Sequence, residues 1–187
     1  MTEVAENPLA EGLELRRRPD PCAMVIFGAS GDLAQRKLIP ALYALAVRRL
    51  LPEHFGVVGV ARSAESTEEY VARMAEAVRE HARDEFRQDV WDGLAAGMRY
   101  VGADVTQPGG IDPIVAALAE LDRERGTAGN RLYYLAIPPS GIAGVVEAMG
   151  PCRTNTGWTR LVVEKPFGHD LASARELDAT IQHHFTE

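Results

Sequence analysis

The sequence predicts an α/β fold: a doubly wound, mainly parallel sheet with helices on both faces. Two observations predict it. Short continuous apolar runs, each suited to a strand buried on both sides, recur along the chain. Between them lie stretches whose apolar residues repeat at helical spacing, so that strand and helix alternate. Parallel neighbours need crossover connections, and this alternation therefore gives a parallel sheet between two helical layers.

The elements follow in order. Residues 1–20 are polar, with Arg16, Arg17 and Arg18 ahead of Pro19, Asp20 and Pro21, and read as a solvated tail; the domain is expected over 21–187. Ala23–Phe27 is the first strand. Leu38, Leu42 and Leu45 mark the next helix, and Pro40 inside it predicts a kink or two helices in series. Phe55–Ala61 is the second strand. Ser66 and Glu69 form a capping-box pattern opening a helix with Val71, Met74, Ala75, Val78 and Ala82 inward. Residues 82–97 are expected to be helical in part. Met98–Val105 is the third strand. Asp112 as cap and Pro113 at the first helical position start a helix that turns Ile114, Leu118 and Leu121 inward. Arg131–Ile137 and Leu161–Val163 are the remaining strands. A last helix opens near Asp170 with Leu171, Ala174, Leu177 and Ile181 on one stripe. There is no internal repeat.

Composition bounds the function. The 187 residues are 46% hydrophobic and 25% charged, ordinary values for a globular chain. A formal charge of −7 argues against a nucleic-acid binder, yet leaves room for a phosphorylated small ligand held by a local cluster of donors. Cys22 and Cys152 are too far apart for a CxxC pair, and neither a metal site nor a disulfide framework is expected. No apolar run approaches the roughly 18 residues of a membrane span. The N-terminus does not read as a signal peptide, so a cytoplasmic location is expected.

The first strand runs into Gly28-Ala29-Ser30-Gly31-Asp32-Leu33-Ala34. A dinucleotide-binding turn needs a tight bend, backbone close to the pyrophosphate, and a helix whose free N–H groups point at it. Gly28 and Gly31 meet the first two needs, and Ala34 is small enough for helix to pack on strand. The spacing is GxxGxxA rather than GxGxxG, and its place between the first strand and the first helix is what gives it weight. At the end of the second strand, where an acid would hold the ribose 2′-hydroxyl of NAD, stand Arg62 and Ser63, with no acid before Glu65. A guanidinium fork matches phosphate oxygens, which favours NADP.

These residues carry a family resemblance. Ile26–Ala34 with Lys37–Tyr43, then Gly59–Ser63, Asn130–Pro139 and Val163–Leu171, resemble in order and spacing the glucose-6-phosphate dehydrogenase family. The resemblance implies a Rossmann-like domain of an enzyme that oxidises glucose 6-phosphate at C1 with NADP⁺, giving 6-phosphogluconolactone and NADPH. It implies that Gly28, Ala29, Ser30, Gly31, Asp32, Leu33, Ala34 and Gln35 hold the cofactor phosphates, and that Arg62 and Ser63 hold the 2′-phosphate. Asp104 and Val105 would border the adenosine. Tyr134 and the Pro138-Pro139 turn would lie near the nicotinamide, and Lys165 between nicotinamide and sugar. The family's general base is a histidine in a block resembling Asp-His-Tyr-Leu-Gly-Lys. None of His54, His81, His169, His183 and His184 has that pattern. The chain is therefore expected to be the NADP-binding half alone, without the C-terminal substrate domain, and inactive by itself. Contacts of a homo-oligomer in the intact enzyme would come from that other domain. Two alternatives remain open: a dehydrogenase of the glucose–fructose oxidoreductase group, and a non-catalytic NADP-binding or assembly module.

Overall fold

The computed structural model describes residues 19–149, 156–166, 168 and 170–185. Five strands form one sheet in the order β3-β2-β1-β4-β5, and every neighbouring pair is parallel. In chain order the strands are β1 (Cys22–Phe27), β2 (Phe55–Ala61), β3 (Met98–Gly102), β4 (Arg131–Leu135) and β5 (Thr159–Val163). The helices are α1 (Ile39–Val47), α2 (Thr67–His81), α3 (Gln88–Ala95), α4 (Asp112–Arg125), α5 (Pro139–Met149) and α6 (Leu171–His184). This is the strand order of doubly wound dinucleotide-binding folds, whose ligand crevice opens where the order reverses, here between β1 and β4.

The alternation of side chains along a strand divides the core into two layers. Met24 and Ile26 of β1 and Val57 of β2 face Ile39, Leu42 and Tyr43 of α1, Met74 of α2, and Trp91 and Leu94 of α3. Val25 and Phe27, with Val58 and Val60, face Ile114, Leu118 and Leu121 of α4, Ile142 and Val146 of α5, and Leu177 of α6. Each fully buried aliphatic or aromatic side chain contributes about 1.5–3 kcal/mol of transfer free energy. The central strands are therefore a rigid base for what their ends carry. Cys22 packs in the first layer, and burial pushes its thiol up to about 11, so it is a packing group.

Several elements depart from the sequence expectation for local reasons. The stretch around Pro40 is two segments in series: a π-helical turn over Ala34–Leu38, closed by Ile39 N–H on Ala34 O, then α1 with Pro40 at its start. The wider turn frees the carbonyl that a proline ring would strike in a continuous α-helix. Leu45 lies outside the α1 stripe and is 37% exposed; Leu171, expected inward, is 65% exposed at the first turn of α6. Asp112 is a helical residue rather than a cap. The turn from Gly109, with Asp112 N–H on Gly109 O, already coils the chain, and Ile111 takes the N-cap position without a side-chain bond.

The third strand ends at Gly102, where its last partner on β2 is Ala61. Helix α3 fills residues 88–95, burying Trp91 and Leu94. The Pro138-Pro139 turn is the opening of α5, whose Ile142, Val145, Val146 and Met149 form a regular buried stripe. The capping box of α2 is present, with Glu69 N–H on Ser66 Oγ and Ser66 N–H on Glu69 Oε2, and Asp170 caps α6 through Ser173. Arg16 to Arg18, Cys152 and His169 lie outside the described residues.

Candidate functional site

A cleft of about 530 Å³ opens across the carboxyl ends of β1 to β4. Its floor is the glycine turn. Gly28 has φ +85°, and a Cβ there would stand 2.2 Å from Ala136 O, so only glycine lets β1 end against the strand-to-helix connection after β4. Gly28 and Ala29 N–H groups both reach Val60 O, at 2.9 and 3.0 Å, and Gly31 N–H closes the bend on Gly28 O at 2.9 Å. The first bond of the following helix is Gln35 N–H on Gly31 O. The amides of Asp32, Leu33 and Ala34 therefore precede the first helical hydrogen bond and have no acceptor within the helix. Such amides, with the positive end of the helix dipole, make an anion-binding mouth.

The turn residues divide their work. Gly28, Ser30 and Gly31 line the cleft. Ala29 and Ala34 are fully buried beneath it, where their size lets the helix sit on the sheet. Gln35 braces the turn by donating from Nε2 to Ser30 O at 2.7 Å. Asp32 is exposed and faces Arg36 at 3.7 Å, and Leu33 is half-buried.

Across the cleft, Arg62 projects from the end of β2 and is exposed. Among the described residues its guanidinium makes no hydrogen bond or ion pair. Glu65, the first acid after it, is withdrawn: its two oxygens accept from Arg73 Nε at 2.9 Å and a terminal nitrogen at 2.6 Å. Ser63 turns toward β3 and meets the Tyr100 hydroxyl at 2.7 Å. Asp104 and Val105 line the far wall. Asp104 accepts from the Thr106 hydroxyl at 2.7 Å and from its amide at 3.1 Å, and these bonds, with a smaller pull from Arg62, hold its carboxyl below the usual range.

Two expected residues stand apart from this cleft. Tyr134 points to the opposite face of the sheet from Tyr133, because neighbours on a strand alternate, and its hydroxyl donates to Glu164 at 2.7 Å. Burial, then Glu164, pushes that phenol up to about 12. Lys165 is exposed just after β5, on the same carboxyl edge of the sheet but one strand beyond β4. The sequence reading missed Thr106, Ser140 and Gly141, which line the cleft. The last two begin α5, so a second helix opens onto it, and Pro139 at a first helical position was the available signal.

The donor set suits a phosphorylated ligand: opening amides of a helix, a glycine bend without room for a side chain, and, among the described residues, an unpaired guanidinium across the cleft. A family model described as glucose-6-phosphate dehydrogenase, NAD binding domain, matches residues 25–187. The chain belongs to this family. Glucose-6-phosphate 1-dehydrogenase 2 of Mycobacterium tuberculosis strain H37Rv is 46% identical over 187 residues, covering 97% of this chain and 36% of the relative. Glucose-6-phosphate 1-dehydrogenase of Chlamydia pneumoniae is 35% identical over 194 residues, covering 100% of this chain and 38% of the relative.

Among solved structures, a glucose-6-phosphate dehydrogenase in complex with its substrate glucose-6-phosphate superposes with a TM-score of 0.77 at 30% identity. It covers 89% of this chain and 35% of that one. The enzyme from Mycobacterium avium gives 0.72 at 34% identity, covering 89% of this chain and 34% of that one. The chain thus spans little more than a third of the length of these relatives. The family resemblance drawn from the four sequence blocks is borne out, and so is the Rossmann-like fold.

Proposed function

We propose that this chain binds NADP(H) in the carboxyl-edge cleft and forms the dinucleotide half of a cytoplasmic oxidoreductase that converts glucose 6-phosphate to 6-phosphogluconolactone. One observation carries the choice of NADP. Among the described residues Arg62 stands unpaired at the end of β2, while the nearby acid that would serve a ribose 2′-hydroxyl, Glu65, is engaged by Arg73. A bidentate cation there favours a 2′-phosphate over a hydroxyl.

In this reading Gly28 to Gln35 receive the pyrophosphate, with Ser30 and the opening amides as donors. Arg62, with Ser63 beside it, takes the 2′-phosphate. Asp104 and Val105 border the adenosine, and the opening of α5 adds a second positive helix end. Lys165, a compact cation with three donors, serves the nicotinamide and sugar side, and Tyr134, on the other face of β4 from the cleft, borders that side through its bond to Glu164. When bound, the nicotinamide supplies the hydride acceptor; the chain's own residues bind and orient it. Among the described residues no histidine lines the cleft. In this reading the base for the C1 hydroxyl and the contacts between copies of the intact enzyme are supplied from outside the cleft.

Calorimetric titration of the 187-residue chain tests the reading. Tighter binding of NADP than of NAD is expected; no heat with NADP from folded protein would overturn it. Glucose 6-phosphate added to the NADP complex should give no absorbance of reduced nicotinamide, and steady formation would place a base within this chain.

A further inference from the structure

The segment that carries Arg62 is fastened at each polar side chain except Arg62 itself. Ser63 meets Tyr100, Glu65 is gripped by Arg73, Ser66 caps α2, and Thr67 Oγ1 accepts from Tyr100 N–H at 3.0 Å. Two of these four ties run to one residue of the neighbouring strand. The Tyr100 hydroxyl donates to Ser63 O at 2.9 Å and, its proton committed there, accepts from Ser63 Oγ at 2.7 Å. It therefore holds both the backbone and the side chain of the residue next to Arg62.

Tyr100 is itself held. It is 8% exposed, and its ring lies 5.0 Å from that of Tyr70, which is fully buried. Tyr70 in turn packs on the backbone of β2: a Cβ added at Gly59 would stand 2.7 Å from Tyr70 Cζ and 3.0 Å from Ala29 Cβ. The pair thus links the β2 backbone beneath the glycine turn to the Arg62 segment through rigid aromatic packing. A long side chain loses rotamer and backbone freedom when it takes hold of a ligand, and an already fixed base reduces that cost.

We propose that Tyr100 is a positioning residue for dinucleotide selection: its hydroxyl, bridging the carbonyl and hydroxyl of Ser63, holds the adjoining backbone so that Arg62 faces a 2′-phosphate. The proposal rests on the NADP reading above and adds to it a residue that touches no ligand. It acts through Arg62, so it affects only ligands that Arg62 distinguishes.

Tyr100→Phe removes the hydroxyl and keeps the ring against Tyr70. By calorimetry the variant should bind NADP about three- to tenfold more weakly, the worth of one or two hydrogen bonds. Its affinity for NAD should stay at the wild-type value. Adenosine 2′-monophosphate, which carries the phosphate without the nicotinamide, should lose the same factor as NADP. In an Arg62→Ala background, Tyr100→Phe should change NADP affinity no further.

Equal weakening of NADP and NAD, or the full loss again in the Arg62→Ala background, would overturn the proposal. Should Tyr100→Phe fail to fold, Ser63→Ala removes the hydroxyl half of the bridge, and because Ser63 also stands beside the 2′-phosphate it is read in the Arg62→Ala background as well. The single variant should lose affinity for NADP and not for NAD, and in the Arg62→Ala background Ser63→Ala should change NADP affinity no further. A further loss there, as a direct contact of the Ser63 hydroxyl would give, or an unchanged NADP-to-NAD ratio in the single variant, would overturn the proposal. A wild-type chain without preference for NADP is a separate outcome: it overturns the cofactor reading itself.

Discussion

The two edges of the sheet use arginine in opposite ways. At the amino edge Arg131, the first residue of β4, is 2% exposed and its terminal nitrogens are held by Asp122, one at 3.0 Å. Asp122 also accepts from the Thr127 hydroxyl and from Gly129 N–H. Asn130 beside them donates to Pro21 O at 2.7 Å and accepts from Trp158 N–H at 2.9 Å, joining the start of β1 to β5. At the carboxyl edge Arg62 is exposed and, among the described residues, unpaired, helix amides are open, and Glu65 is turned away. One edge pairs most of its polar groups internally, the Arg131 Nε–H and the Trp158 indole N–H excepted, and fixes the strand starts; the other leaves its donors exposed. A charge buried with its partner serves the fold, whereas a charge kept free on a rigid support serves recognition.

Four substitutions or conditions sharpen this contrast, beginning with the largest effect. Asp122→Ala strands a buried guanidinium and should lower unfolding free energy by about 3–5 kcal/mol, measured by urea denaturation. A change below about 1 kcal/mol would mean the amino edge is no more structural than its surface. Gly28→Ala meets Ala136 O and a left-handed backbone at once. It should cost about 3 kcal/mol and abolish dinucleotide binding, seen as a fall in melting temperature and loss of calorimetric heat.

Arg62→Ala is the counterpart of Asp122→Ala. NADP affinity should fall about 10- to 100-fold while NAD affinity and the urea midpoint stay put. Equal loss of both cofactors would show that Arg62 does not face the 2′-phosphate. The smallest effect is on pH. Burial works to raise the Asp122 carboxyl, but the Arg131, Thr127 and Gly129 bonds outweigh it and hold the group low in the folded chain. A depressed folded value means its contribution is complete above the ordinary carboxylate range, about pH 4, and fades as pH falls through the folded value. The urea midpoint of the wild type should drop over that acid range with a steeper slope than that of Asp122→Asn; identical slopes would break the assignment.

The order of elements was legible because burial on both faces of a parallel strand leaves an unbroken apolar run, as in Ala23–Phe27 and Phe55–Ala61. The glycine turn was legible because Gly28 answers a steric demand that no other residue meets. Helix α5 escaped notice because Pro138-Pro139 reads equally as a turn and as a helix start. Leu171 was misplaced because its periodicity says nothing about whether a neighbour covers the first turn of α6. Tyr134 is a subtler case: its position near the carboxyl edge was readable, but the face it takes depends on β4's register, which sends it to Glu164.

Local chemistry along the chain determined the strand–helix alternation, the caps at Ser66 and Asp170 and the cation at Arg62, since each is decided by residues within a turn or two of one another. The glycine at 28 marked a bend, but it is Ala136 O, brought beside it by β4, that excludes a side chain there. Tertiary structure alone decided what surrounds that cation. Ser63 and Tyr100 are 37 positions apart and meet only because β2 and β3 pair in register. Whether Arg62 is aimed or merely present depends on contacts that exist only once the strands have paired.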